Sequence, residues 1–139
     1  MDKFFNTAGP VNRPQHYKID PLHRWNLDEI LGLIQQEKYF ILHAPRQTGK
    51  TSSLLALQDY LNEEGRYLAM YVNFEVGQAA RDNIQSSIQA IISELSIRIQ
   101  PFADQDGLNE KIRTVMQENP DNMLNAVLSF LASALPKPL

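Results

Sequence analysis

The chain has 139 residues, 43% of them hydrophobic and 21% charged, with a formal net charge of −3. That length suits one domain with a real core and is short for two, and the composition is that of an ordinary soluble globular protein. Lys and Arg are scattered, which gives no electrostatic argument for a nucleic-acid or membrane partner, and the absence of cysteine excludes disulfides and thiolate metal sites.

No apolar stretch approaches the about 20 residues that a membrane-spanning helix needs. The N-terminus, Met1-Asp2-Lys3-Phe4-Phe5-Asn6, lacks the apolar core of a secretion signal. A cytoplasmic protein is expected.

Residues 1–26 read as an irregular lead-in, with three of the eight prolines between positions 4 and 21. Asn26 and Glu29 have the spacing of a capping box. Leu27, Ile30, Leu31 and Ile34 follow at helical spacing, which predicts an amphipathic helix over 27–37. The short apolar run Tyr39-Phe40-Ile41-Leu42-His43 predicts a strand covered on both faces, as in a parallel sheet. Leu54, Leu57 and Leu61 predict a second helix, closed at Gly65 by a left-handed glycine. Tyr67 to Phe74 is the second buried-strand candidate, so 27–77 reads as a helix followed by a βαβ unit.

The segment 78–139 reads as helical. Ile84, Ile88, Ile91, Ile92, Leu95 and Ile99 form one stripe, broken by Pro101. Leu108, Ile112, Val115 and Met116 form a second. Leu124, Val127, Leu128, Leu131 and Leu135 form a third, opened by Asn119 as cap and Pro120 as first helical residue. These stripes face a core or, alternatively, form a partner-binding groove.

Between the first strand candidate and the second helix lies Ala44-Pro45-Arg46-Gln47-Thr48-Gly49-Lys50-Thr51. It matches a phosphate-binding P-loop (Walker A), with Ala44 in place of the first glycine. Gly49 lets the backbone turn tightly and approach a phosphate. Amide N–H groups from Thr48 to Ser52 would converge on one anion-favouring concavity. Lys50 would reach back as a point charge onto the β- and γ-phosphates of ATP and stabilise charge in the transition state. Thr51 would offer its hydroxyl to a magnesium ion that keeps phosphate and water as its other ligands. Arg46 and Gln47 face solvent or touch phosphate. The pattern alone recurs by accident in about one chain in a hundred of this length. The flanking apolar run and Leu-rich helix make a chance match rarer still.

Asn73 and Glu75 are either a polar strand terminus or groups near a γ-phosphate, since ligands sit at the carboxyl edge of parallel sheets. His43 packs, caps or catalyses. Trp25 and Tyr17 are packing residues or an adenine-stacking platform.

Phe5 to Val11, His16-Tyr17 and His43 to Thr51 together resemble the bacterial AAA-like (AAA/STAND-like) P-loop ATPases, over a span from about residue 4 to the end. The resemblance implies a three-layer α/β/α P-loop NTPase fold, here with an incomplete sheet and a helical C-terminal third. Ala44 and the Pro-Arg-Gln after it fit that group. By the same resemblance, Tyr17, Lys18 and Ile19 border the adenine, and Asn73 modulates a catalytic glutamate.

Hydrolysis in that superfamily needs a second motif, an apolar strand ending in Asp-Glu. The sequence has none: Ala90-Ile91-Ile92-Ser93-Glu94 lies in a helical stripe, and Tyr71-Val72-Asn73-Phe74-Glu75 lacks the aspartate. In the family that strand follows the third stripe, where this sequence stops. The expectation is an N-terminal fragment, from a truncated product or a partial sequence, that binds ATP and magnesium but is inactive alone. Unpaired strands would then call for a protein partner, self-association or a rearranged sheet. The alternative function is a non-catalytic remnant acting as a helical protein-interaction module. A GTPase or small-molecule kinase ranks last, because the Asn-Lys-x-Asp guanine-reading motif is absent and no kinase acceptor site is visible.

Overall fold

The structure is a computed structural model that describes residues 4, 5, 17, 19–80, 82–102 and 107–139. It divides into two compact units, Met1–Tyr60 and Leu61–Leu139. Most of the irregular lead-in, including Asn6 to His16 and Lys18, lies outside the described residues.

In the first unit, Asp20 accepts a bond from Leu22 N at 3.0 Å and so caps a 3-10 helix, Pro21–Arg24, that opens on proline. Helix α1 (Leu27–Gln35) starts at the expected capping residue. Asn26 Oδ1 accepts from Glu29 N at 3.4 Å, and Asn26 Nδ2 donates to Glu29 Oε2 at 3.3 Å. Ile30 is buried, and Leu27, Leu31 and Ile34 are half-buried, so the expected apolar face is present.

The helix stops two residues before the sequence suggested. Glu37 takes φ +54°, its N–H donates to Ile34 O at 2.9 Å, and Lys38 N donates to Leu33 O at 3.0 Å. That pair of bonds is the Schellman closure of a helix. A glutamate occupies the left-handed position that glycine usually takes, so composition gave no stop signal there.

Helix α2 (Lys50–Glu64) begins at the motif lysine in the first unit, and its last four residues belong to the second. It closes as expected at Gly65, which has φ +81° and donates to Leu61 O at 3.1 Å.

The second unit is helical throughout its regular structure. A 3-10 helix, Phe74–Ala80, precedes α3 (Ile84–Ile99); a short 3-10 turn, Gln100–Phe102, follows, then α4 (Leu108–Glu118) and α5 (Met123–Ala134). Helix α3 packs against the 74–80 helix and α5, and α4 packs against α5. Gly77 makes the first of these contacts close: a Cβ there would lie 3.3 Å from Ile91 Cδ1 and 3.4 Å from Ser87 O. Ser87 Oγ donates to Gly77 O at 2.9 Å across the same contact. The core consists of Ile92 and Ile99 from α3, Ile112 from α4, and Met123, Val127 and Leu131 from α5.

Two helical expectations shift. Helix α5 opens at Met123 with Asn122 as its cap, while Asn119 closes α4 by donating from its backbone N to Val115 O at 3.1 Å. Its buried residues, Met123, Val127 and Leu131, are four apart, whereas Leu128 from the expected stripe is exposed. On α3, Ile84 is exposed at the helix start and the buried residues begin at Ile92.

The α/β expectation is overturned. Among the described residues there is no β-strand and no sheet, so the three-layer α/β/α P-loop architecture is not the fold of this chain. Residues 39–43 have no regular secondary structure and form no ladder among the described residues, with Tyr39 and Ile41 in the open. In 67–74, Leu68 is buried, yet its N–H goes to Pro138 O at 2.8 Å. Ala69 is served on both sides by one side chain: Asn62 Nδ2 donates to Ala69 O at 2.8 Å, and Asn62 Oδ1 accepts from Ala69 N at 3.0 Å. Backbone groups satisfied by a tail carbonyl and an asparagine have no need of a neighbouring strand.

Candidate functional site

The motif residues Ala44 to Ser52 lie together in the first unit, as a turn that runs directly into the first turn of α2. The turn is shaped by two left-handed residues. Gln47 has φ +58° and Gly49 φ +81°, while Arg46, Thr48 and Lys50 are not among the residues of positive φ. Alternating φ signs over successive residues turn their N–H groups toward one side, which is the geometry of an anion-binding nest. The nest continues into the helix. The N–H groups of Lys50, Thr51 and Ser52 have no earlier helical carbonyl to reach, and Ser53 N, donating to Gly49 O at 3.0 Å, is the first to find one. Partial positive charge at the start of α2 adds to the preference for an anion.

Several carbonyls of the turn are held by donors. Lys50 Nζ donates to Ala44 O and to Pro45 O, each at 2.6 Å. Pro45 O also accepts from Thr48 Oγ1 at 2.8 Å. Thr48 O accepts from Arg24 Nη1 at 3.1 Å. In a trans peptide the C=O and the following N–H point opposite ways. Holding the carbonyls of Pro45 and Thr48 therefore fixes the N–H groups of Arg46 and Gly49 on the other side. Lys50 is folded back over the loop, and its ammonium sits on carbonyls that an anion would have to replace.

Arg24 and Ser53 are the site residues that sequence reasoning missed. Ser53 is 1% exposed and its Oγ donates to Pro21 O at 3.2 Å, tying α2 to the short helix that carries Arg24. The Arg24 guanidinium lies against Gly49, where any Cβ would run into Nη1. Arg24 precedes Thr48 by 24 positions, so no motif spacing could have linked them.

The remaining candidates fall as follows. Arg46, Gln47 and His43 are exposed, as is Thr51, whose hydroxyl is open to a ligand. Tyr17 is half-exposed with its ring 4.8 Å from that of Phe5, and its N–H donates to Phe4 O at 3.2 Å. Ile19 is exposed, Trp25 half-buried, and Lys18 lies outside the described residues. Asn73 and Glu75 belong to the second unit. There Asn73 Oδ1 accepts from Glu75 N at 3.0 Å at the start of the 74–80 helix, a capping role rather than the end of a strand. Ala90 to Glu94 lie within α3, where Glu94 pairs with Arg98 at 2.8 Å.

A triphosphate would draw on the amides that open α2 and on the Lys50 ammonium, once this leaves the carbonyls of Ala44 and Pro45. Among the described residues no group of three or more His, Asp or Glu side chains is placed to hold a metal. Magnesium on a nucleotide does not need one, since it binds through one or two protein ligands together with phosphate and water. Among the described residues no helix is long and apolar enough to cross a membrane. No protein-family model, no curated protein and no solved structure matches this chain.

Proposed function

We propose that the loop Ala44 to Ser52 binds the phosphate chain of a nucleotide, ATP with magnesium, as a P-loop related to that of the AAA-like ATPases. The observation that carries the proposal is the alternation of backbone φ through Arg46 to Lys50, which ends at the N-terminus of a 15-residue helix with Lys50 folded back over the turn. The likeness of the loop supports this reading, and the sheet of that family has no part in it. In the bound form the amides of Thr48 to Ser52 hold phosphate oxygens, and Lys50 turns from the carbonyls of Ala44 and Pro45 to the β- and γ-phosphates. Thr51 contributes its hydroxyl to the magnesium ion, which would supply charge neutralisation between the phosphates.

Hydrolysis is a separate matter. The sequence offers no apolar strand ending in Asp-Glu to activate water, so the proposal is binding with little turnover.

The experiment is thermal unfolding with and without magnesium ATP, beside a Lys50→Ala control. A ligand at 100 times its dissociation constant adds about 2.7 kcal/mol of stability. Magnesium-dependent stabilisation that Lys50→Ala removes is expected, with phosphate release by the unaltered chain no faster than by that control. No stabilisation at millimolar ATP overturns the binding proposal, and Lys50-dependent turnover overturns the claim of low activity.

A further inference from the structure

We infer that Arg24, outside the motif, is a positioning residue for the phosphate loop, setting the Thr48–Gly49 peptide so that the Gly49 N–H faces the anion. The inference rests on the loop binding phosphate and adds to it a residue that the motif does not contain.

A peptide next to glycine is the weakest point of such a loop. Glycine accepts φ of either sign at little cost, so the plane before it can turn over. In one orientation the Gly49 N–H serves the concavity. In the other, the Thr48 carbonyl takes its place and presents a negative dipole to a phosphate. The structure shows the first orientation, with Thr48 O bonded at 3.1 Å to Arg24 Nη1. A charged donor holds a carbonyl more strongly than a neutral one does, which can decide between two backbone states close in energy.

Arg24 is well placed to hold it. It ends the 3-10 helix Pro21–Arg24, and Pro21 O of that helix accepts from the buried Ser53 Oγ on α2 at 3.2 Å. The short helix is therefore fastened to α2 on one side of the loop and to the loop itself through Arg24. Contact at Gly49 is close enough that a Cβ would displace the guanidinium. Among the described residues no carboxylate pairs with Arg24.

The test uses the full chain with magnesium ATP as the probe, comparing the unaltered protein with Arg24→Ala, Arg24→Lys and Lys50→Ala. Titration calorimetry gives affinity, and the Gly49 amide resonance reports the peptide plane. Loss of about tenfold or more in affinity is expected for Arg24→Ala, at retained helical content. Arg24→Lys, which keeps a charged donor, recovers part of the loss. The Gly49 amide shifts on adding ligand in the unaltered chain and shifts less in Arg24→Ala. An Arg24→Ala chain that binds within twofold of the unaltered one while Lys50→Ala fails to bind overturns the inference and leaves the phosphate site standing. So does a weakened Arg24→Ala chain whose Gly49 amide still responds fully, since Arg24 would then act other than through that peptide. Absence of binding by the unaltered chain overturns the phosphate site and this inference with it.

Discussion

Ser53 Oγ donates to the carbonyl oxygen of Pro21 at 3.2 Å, and Ser53 is almost entirely shielded from water. The bond joins the first turns of α2, where the loop ends, to a short helix 32 positions earlier in the chain. Removing the hydroxyl leaves a part-buried carbonyl without its partner and a small void. Ser53→Ala is expected to lower stability by about 1 kcal/mol, seen as a lower midpoint in thermal or urea unfolding. An unchanged midpoint would mean that the tie between Pro21 and α2 contributes nothing to stability.

Gly49 combines two constraints. Its φ of +81° is costly for any residue with a Cβ, and a Cβ there would also meet Arg24 Nη1. Gly49→Ala is expected to cost about 1–2 kcal/mol from the left-handed backbone alone. Its larger effect should be on magnesium ATP, because the loop must relax and Arg24 must move. Calorimetric titration beside a melting curve separates the two effects. Binding as tight as that of the unaltered chain would show that neither the turn at Gly49 nor Arg24 beside it matters to the ligand.

The helices were readable in the sequence, and so were those caps that depend on neighbours in the chain, though the end of α1 at Glu37 and the start of α5 at Asn122 were not. Asn26 with Glu29 announced the start of α1, Gly65 the end of α2, and the leucine and isoleucine spacing the core of the second unit. The strands were misread for the opposite reason. Tyr39 to Leu42 and Tyr67 to Phe74 are apolar runs, and a run of that length fits a buried strand or an extended segment equally well. What decides is the partner of each backbone group, and that is a long-range fact. Asn62 and Pro138 take the backbone groups of Leu68 and Ala69 that a ladder would have used. The loop's position before α2 was legible, and in the structure the Lys50 ammonium lies on the carbonyls of Ala44 and Pro45. Arg24 and Ser53 were invisible, since they reach the loop and Pro21 across 24 and 32 positions.

The Asn62–Ala69 pair gives a third prediction. One side chain satisfies both backbone groups of Ala69, at 2.8 and 3.0 Å, and both bonds are part-buried. Cutting it back strands a donor and an acceptor at once. Asn62→Ala is expected to destabilise the chain by about 2 kcal/mol, and amide exchange at Ala69 should quicken with it. Unchanged exchange at Ala69 would show that the pair does not hold this segment in solution.

Ile41 tests the fold most directly, because the two readings of its segment differ by several kcal/mol. In a doubly covered strand its side chain would be core, and truncation would cost about 2–5 kcal/mol. In the structure Ile41 is 91% exposed, in a segment without regular secondary structure that pairs with no other among the described residues. Changes at exposed positions stay within about 0.5 kcal/mol. Ile41→Ser is therefore expected to leave the unfolding midpoint nearly where it was and to reduce any tendency of the chain to associate, since it removes exposed apolar surface. Both can be read on one sample, by urea unfolding and by light scattering over a range of concentrations. A loss of several kcal/mol would place Ile41 under cover and restore a buried role to the run before the loop.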